Sequence, residues 1–254
     1  MWKMVYGSVR GTSHFESGTP CQDYCSGVGS GPLLVAACAD GAGSAERSHL
    51  GSRCAVERFL EASAALDDRI PEKGEVEAWI ELARDRVLDE SSTQDVSPRQ
   101  LACTFLAAIV GEGWAAFAQV GDGVIVFNGD AGYDLAFWPD NGEYANATRF
   151  LTDDDYRDHL RIEIVPRRIT ELAILTDGLQ MLALDFAGAR VHDRFFAPLF
   201  HTIRAGPDED ALRTSLLSFL DSQRVNERTD DDKTLFLATR SNYDVPASLS
   251  DEPS

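Results

Sequence analysis

Positive charge is scarce in this chain of 254 residues: 23 Lys and Arg stand against 42 Asp and Glu, a net charge of −19. That balance argues against a nucleic acid partner, because phosphate backbones select basic patches. It argues equally against docking on anionic membranes. No apolar run is long enough to span a bilayer. The amino terminus, MWKMVYGSVRG, lacks the apolar core of a secretory leader. Cysteine is sparse and odd in number: Cys21, Cys25, Cys38, Cys54 and Cys103. Cys21 and Cys25 have no second cluster with which to build a zinc site. Buried thiols in a reducing compartment are expected, and so a cytoplasmic protein. Also missing are an internal repeat and the strict βα alternation of a doubly wound sheet.

What is present is ordered in blocks. Strands are expected at Met4 to Arg10, around Tyr24 to Val28 and in LLVAACAD. Two long helices follow. One runs from Ser44 to Leu66, with Ala55, Phe59, Ala62 and Leu66 on one face; the other runs from Glu75 to Ser91, with Val76, Trp79, Ile80, Ala83 and Val87. After Ser97-Pro98 come ACTFLAAIV, WAAFAQV, GVIVFNG and YDLAFW, divided by Gly, Asp and Asn turns, the pattern of antiparallel hairpins. Pro139 to Tyr156 reads as a loop. Strands return at Arg161 to Pro166 and in ELAILTD, helices at Arg194 to Ile203 and Asp210 to Gln223, and a last strand in KTLFLATR. Segregated runs of this kind mean α+β, with antiparallel sheets packed under helices. One domain is expected over residues 1–240, followed by a polar, disordered tail over 241–254.

Aspartates recur at the ends of these strands. They are Asp23 in CQD, Asp40 in ADGAGS, Asp122 in QVGDG, Asp177 in LTDG and Asp231 in TDDDKT. A strand end holds a carboxylate rigidly, and a neighbouring glycine lets backbone and solvent approach. Oxygen donors suit hard cations such as Mg²⁺ or Mn²⁺. A two-metal hydrolytic site is the expected product. Each motif alone has a plainer reading: Asp40 as a helix cap, Asp122 and Asp177 as turn residues, and Asp231 as part of a solvated acidic loop. Their order, with apolar strands attached, is what makes the set specific.

That ordered set resembles the metal-dependent (type 2C, or PPM-type) protein serine/threonine phosphatases over Val5 to Arg240, through CQD, VAACADGAGS, ACTFLAAIV, QVGDG, LTDG and DDKT. GTSH and DGAGS look like a divergent bacterial branch. The resemblance implies a four-layer αββα sandwich of two antiparallel sheets flanked by helices. It implies two Mn²⁺ or Mg²⁺ ions, with a weaker third position. Asp40 would bridge them, with the Gly41 carbonyl on one and Asp177 and Asp231 on the other. Asp23 would act through water, and Asp122 with Asp177 would form the third position. Hydrolysis of phosphoserine or phosphothreonine would follow, opposing a cognate serine/threonine kinase. A monomer is the expected state.

The chain departs from the family pattern at three places. Gln22 stands where many members have glutamate, Gly18 where many have a phosphate-binding arginine, and Ala42 where many have a general-acid histidine. Arg10, Arg47 and Arg53 are candidate replacements for the arginine. His14 and His49 are candidates for the histidine, with His49 read as a helix-surface residue and His14 as the one with a claim to the site. These departures leave two alternatives: a pseudophosphatase that binds a phosphoprotein or kinase without turnover, and a phosphatase of small phosphate esters.

Overall fold

The computed structural model describes residues 1–129, 132–139, 148–206 and 208–241. Residues 140–147 of the expected loop and 242–254 of the expected tail lie outside them.

In chain order the elements are β1 (Trp2–Val9), α1 (Thr12–Ser17), β2 (Tyr24–Ser30), β3 (Leu33–Ala39), α2 (Ser48–Ser63), α3 (Lys73–Thr93), β4 (Phe105–Val110), β5 (Ala115–Val120), β6 (Val124–Gly129), β7 (Gly132–Leu135), α4 (Tyr156–His159), β8 (Arg161–Val165), β9 (Glu171–Leu175), α5 (Gln180–Ala183), β10 (Leu184–Asp185), β11 (Arg190–Val191), α6 (Asp193–Ala205), α7 (Glu209–Leu220), α8 (Gln223–Asn226) and β12 (Lys233–Arg240). Ten strands build two five-stranded sheets, β1-β12-β9-β6-β7 and β2-β3-β4-β5-β8, and β10 pairs with β11. Every pairing within them is antiparallel. The first and last strands lie side by side, Trp2 opposite Arg240 and Val9 opposite Lys233.

Strands β3 and β4 are apolar at every position because both of their faces are covered. In β4, Leu106, Ala108 and Val110 turn between the sheets, where they join Phe236 and Ala238 of β12. Phe105, Ala107 and Ile109 turn outward against Phe59 of α2 and Ile80 and Val87 of α3. Leu235 and Leu237 of β12 turn the other way, onto Phe196 and Phe200 of α6 and Leu212 and Leu216 of α7. The layers are therefore helix, sheet, sheet, helix, with a separate apolar interface between each adjacent pair. Burial of each large side chain contributes about 1.5–3 kcal/mol.

Helix α3 begins at a capping box, in which the Glu72 side chain accepts from the backbone at Glu75 and the Glu75 side chain accepts from the backbone at Glu72. Helix α2 starts later than the expected Ser44. Thr104 N donates to Asp40 O, Ala42 N to Ala102 O and Arg47 N to Gln100 O. Residues 40–47 are thus laced to the approach of β4 and cannot close helical turns. A second difference is α1, over a segment expected to be loop.

Gly51 lets α2 lie directly on the turn before β4: a Cβ there would stand 2.0 Å from the Leu101 carbonyl oxygen. Backbone cannot swing aside as a side chain can. Gly51→Ala is expected to destabilise the protein by about 1–3 kcal/mol, the usual range for overpacking. Thermal unfolding checks this, and an unchanged Tm would show that the helix can shift freely.

Candidate active site

Strand register brings the five aspartates to one edge of the sandwich. Tyr24 faces Ala39, so Asp23, one residue before β2, meets Asp40, one residue after β3. Asp177 follows β9, Asp231 precedes β12, and Asp122 sits in the β5–β6 turn. A cleft of about 310 Å³ opens there, lined by Asp40, Gly41, Asp122, Asp177 and Asp231, with His14 and Ser13 on the α1 side and Thr148 and Phe150 opposite.

Asp40 is central. Its carboxyl lies against those of both Asp23 and Asp177, and burial, then repulsion from those two, raises it well above the usual carboxylate range. Its backbone is fixed from both sides, with Thr104 Oγ1 accepting from Asp40 N at 3.0 Å and Asp40 O accepting from Thr104 N at 2.8 Å. Gly41 bridges to Cys103. The hydrogen bonds closing that bridge come from Asp40 and Ala42, so they do not use the Gly41 carbonyl.

Asp23 stands behind Asp40, buried, with Thr176 Oγ1 donating to its Oδ2 at 2.8 Å. Burial, first, and the charge of Asp232 push it up to about 7. Asp177 is pushed up to about 6, by burial and then by the charge of Asp122. Asp122 Oδ2 accepts from Thr148 Oγ1 at 2.7 Å. Asp231 Oδ1 accepts from Asp232 N at 2.8 Å.

This donor set fits a hard divalent cation. Asp23 Oδ1 and Asp177 Oδ1 are buried with no hydrogen-bond partner, and buried polar atoms are rarely left so. Among the described residues lining the cleft there is no lysine or arginine to balance its carboxylates. Among the described residues no three His, Cys, Asp or Glu side chains close on one point as a finished cage. The carboxylates instead meet two at a time through Asp40.

None of the three candidate arginines is among the residues lining the cleft. Arg47 Nη1 donates to Gln94 Oε1 at 2.6 Å, and Arg53 pairs with Glu57 at 2.7 Å along α2. Arg10 lies over the Phe15 ring, 3.9 Å from its centroid. His49, on α2, does not line the cleft. Gln22 is not turned to the cleft either: its Nε2 donates to Ala45 O at 2.9 Å and steadies the loop after Gly41.

Sequence reasoning missed Asp232, which is 2 % exposed. Its Oδ1 accepts from Gly11 N at 2.7 Å and its Oδ2 from Gln22 N at 2.6 Å. In a run of three acids, strand alternation leading into β12 was the available signal: Asp232 shares a face with Thr234, which faces inward. Thr176 was missed as well; its Oγ1 also accepts from Thr234 N at 3.2 Å and so joins β9, β12 and Asp23.

A paired-sheet sandwich with helices outside and a carboxylate cleft at one edge defines the class, and the sequence agrees. The chain belongs to the protein phosphatase 2C family, whose sequence profile matches residues 10–221. It is 38% identical over 251 residues to serine/threonine-protein phosphatase 3 of Escherichia coli (strain K12), covering 93% of this chain and 98% of that protein. Solved structures share the fold at low identity. The S. agalactiae serine/threonine phosphatase aligns with a TM-score of 0.64 at 15% identity, over 94% of this chain and 99% of that one. The Mycobacterium tuberculosis phosphatase PstP/Ppp aligns at 0.60 and 15%, over 94% and 99%. A PstP catalytic domain in complex with two manganese ions aligns at 0.59 and 16%, over 95% and 99%.

Proposed function

We propose that this protein hydrolyses phosphoserine and phosphothreonine in a phosphoprotein, at the cleft around Asp40, with two Mn²⁺ or Mg²⁺ ions held by Asp40, Gly41, Asp177 and Asp231. The observation that carries this reading is the convergence of five strand-end aspartates, two of them (Asp23 and Asp177) with an orphaned carboxylate oxygen, in a chain of the protein phosphatase 2C family. When bound, such cations lower the pKa of coordinated water and offset phosphoryl charge. Asp23 serves from behind Asp40, and Asp122 with Asp177 offers a weaker third position. Ser44 offers a hydroxyl at the cleft wall, suited to phosphoryl oxygens that no arginine of the described lining meets. His14 is the one histidine in the described cleft lining and is the candidate proton donor. Family membership and the complete set of aspartates favour catalysis over binding without turnover.

A serine/threonine kinase supplies the substrate in this reading. A cytoplasmic setting is consistent with five free cysteines. No helix of the described residues is long and apolar enough to cross a membrane. Phosphate release from a phosphothreonine peptide, with Mn²⁺ and with chelator, tests the proposal. Release that requires Mn²⁺ and exceeds release from sugar phosphates is expected. No release from protein shown by calorimetry to bind Mn²⁺ would overturn it.

A further inference from the structure

Asp232 does more than close a turn. Its two carboxylate oxygens receive the backbone of Gly11, at the start of α1, and of Gln22, beside Asp23. The same Oδ1 lies 2.9 Å from His14 Nδ1. The contact has the distance of an ion pair but not the alignment of a hydrogen bond, since Nδ1 counts as buried and unpartnered. Catalytic hydrogen bonds are commonly misaligned before substrate binds.

The rest of α1 is clamped to the same place. Ser13 N and Ser13 Oγ both donate to Asp230 O, at 3.0 and 2.8 Å. A Cβ on Gly11 would meet Asp230 O at 2.4 Å, so only glycine allows the approach. His14 is therefore fixed relative to Asp231, and with Nδ1 buried, Nε2 is the nitrogen left for the cleft.

We propose that Asp232 is the positioning residue of His14, holding Nδ1–H inward so that Nε2–H is presented to the departing serine or threonine oxygen. This rests on the phosphatase reading above. Water forms the new bond to phosphorus as the P–O bond to the side chain breaks. The bonding pair goes to the side-chain oxygen, which takes the proton from Nε2. The ring is left neutral with its proton on Nδ1, and the proton shed by the attacking water restores the cation through solvent. The pair takes up, from α1 and the approach to β12, the role that Ala42 cannot fill.

The test is leaving-group dependence. Alkoxide needs a proton to leave, whereas p-nitrophenolate does not. In Mn²⁺-loaded protein, His14→Gln is expected to lower kcat on a phosphothreonine peptide about 10²-fold, within the usual range for acid catalysis, and to lower kcat on p-nitrophenyl phosphate at least about ten times less. Asp232→Asn should show the same skew. Equal losses on both substrates in Asp232→Asn, with the skew kept in His14→Gln, would make Asp232 merely structural and overturn the proposal. No skew in His14→Gln would overturn it at the histidine. No turnover by unaltered protein would remove the phosphatase reading and this one with it. A second measurement does not depend on the folding of Asp232→Asn: ¹⁵N NMR of neutral His14 in the Mg²⁺-loaded protein should find the proton on Nδ1. Finding it on Nε2 would defeat the assignment.

Discussion

Asp40→Asn is expected to abolish turnover while leaving the fold intact, and to do both for one structural reason. The Asp40 main chain is held by Thr104 through two hydrogen bonds, and asparagine has the same shape, so the strand end stays where it is. The side chain, however, lies against the carboxyls of Asp23 and Asp177. On the proposed reading, a neutral amide there would hold the two cations far more weakly than a carboxylate. Metal stabilisation of transition-state charge is worth several kcal/mol. At about 1.4 kcal/mol per tenfold, the expected loss in kcat is at least about 10³-fold. The substitution also removes one carboxylate from a crowded buried group. Metal-free Asp40→Asn should therefore melt no lower than metal-free wild type at pH 7.5, and should lose most of the stabilisation that Mn²⁺ gives. Paired kinetics and melting curves check both halves. Full turnover in the variant would remove Asp40 from the mechanism.

The site was largely legible because strand-end aspartates announce themselves locally: an apolar run, a carboxylate, often a glycine. Asp23, Asp40, Asp122, Asp177 and Asp231 all fall at the same edge, and the segregated order of strands and helices carried the layered fold. The remainder was set by contacts that no local pattern encodes. Residues 40–47 have the composition of a helix start, yet backbone bonds to residues 100–104 hold them open. Arg47 and Arg53 were candidates for the missing arginine, but Gln94 and Glu57 take their guanidinium groups. Asp232 looked like one more solvated acid, and only the approach of Gly11 and Gln22, more than two hundred residues away in sequence, makes it a buried anchor.

Chelation should destabilise the protein, and more so at pH 7.5 than at pH 5.5. Asp23 titrates near 7 and Asp177 near 6 in the folded chain, against 3.8 for an ordinary aspartate, and Asp40 is raised well above that value. Burial leads in each case, followed for Asp40 and Asp177 by carboxylate repulsion. The folded metal-free state thus binds more protons than the unfolded chain across this range. Its stability is fullest below about pH 4 on this account and is lost as pH rises through about 7. Other groups hardly oppose the trend. Glu75, held down to about 2 by Arg69, and Glu81 and Asp185, both lowered, act below pH 5. His49, lowered by burial, favours higher pH, but it is a single group on a helix surface against three buried carboxylates. Cations replace the protons, so Mn²⁺ binding should release protons near pH 6 and should raise Tm more at pH 7.5 than at pH 5.5. In a chain of this size each kcal/mol moves Tm by about 2–4 °C, so the difference is measurable by calorimetry in chelator and in Mn²⁺. A chelated protein that melts at the same temperature or higher at pH 7.5 would mean that Asp23, Asp40 and Asp177 are not the strained, cation-seeking group their burial describes.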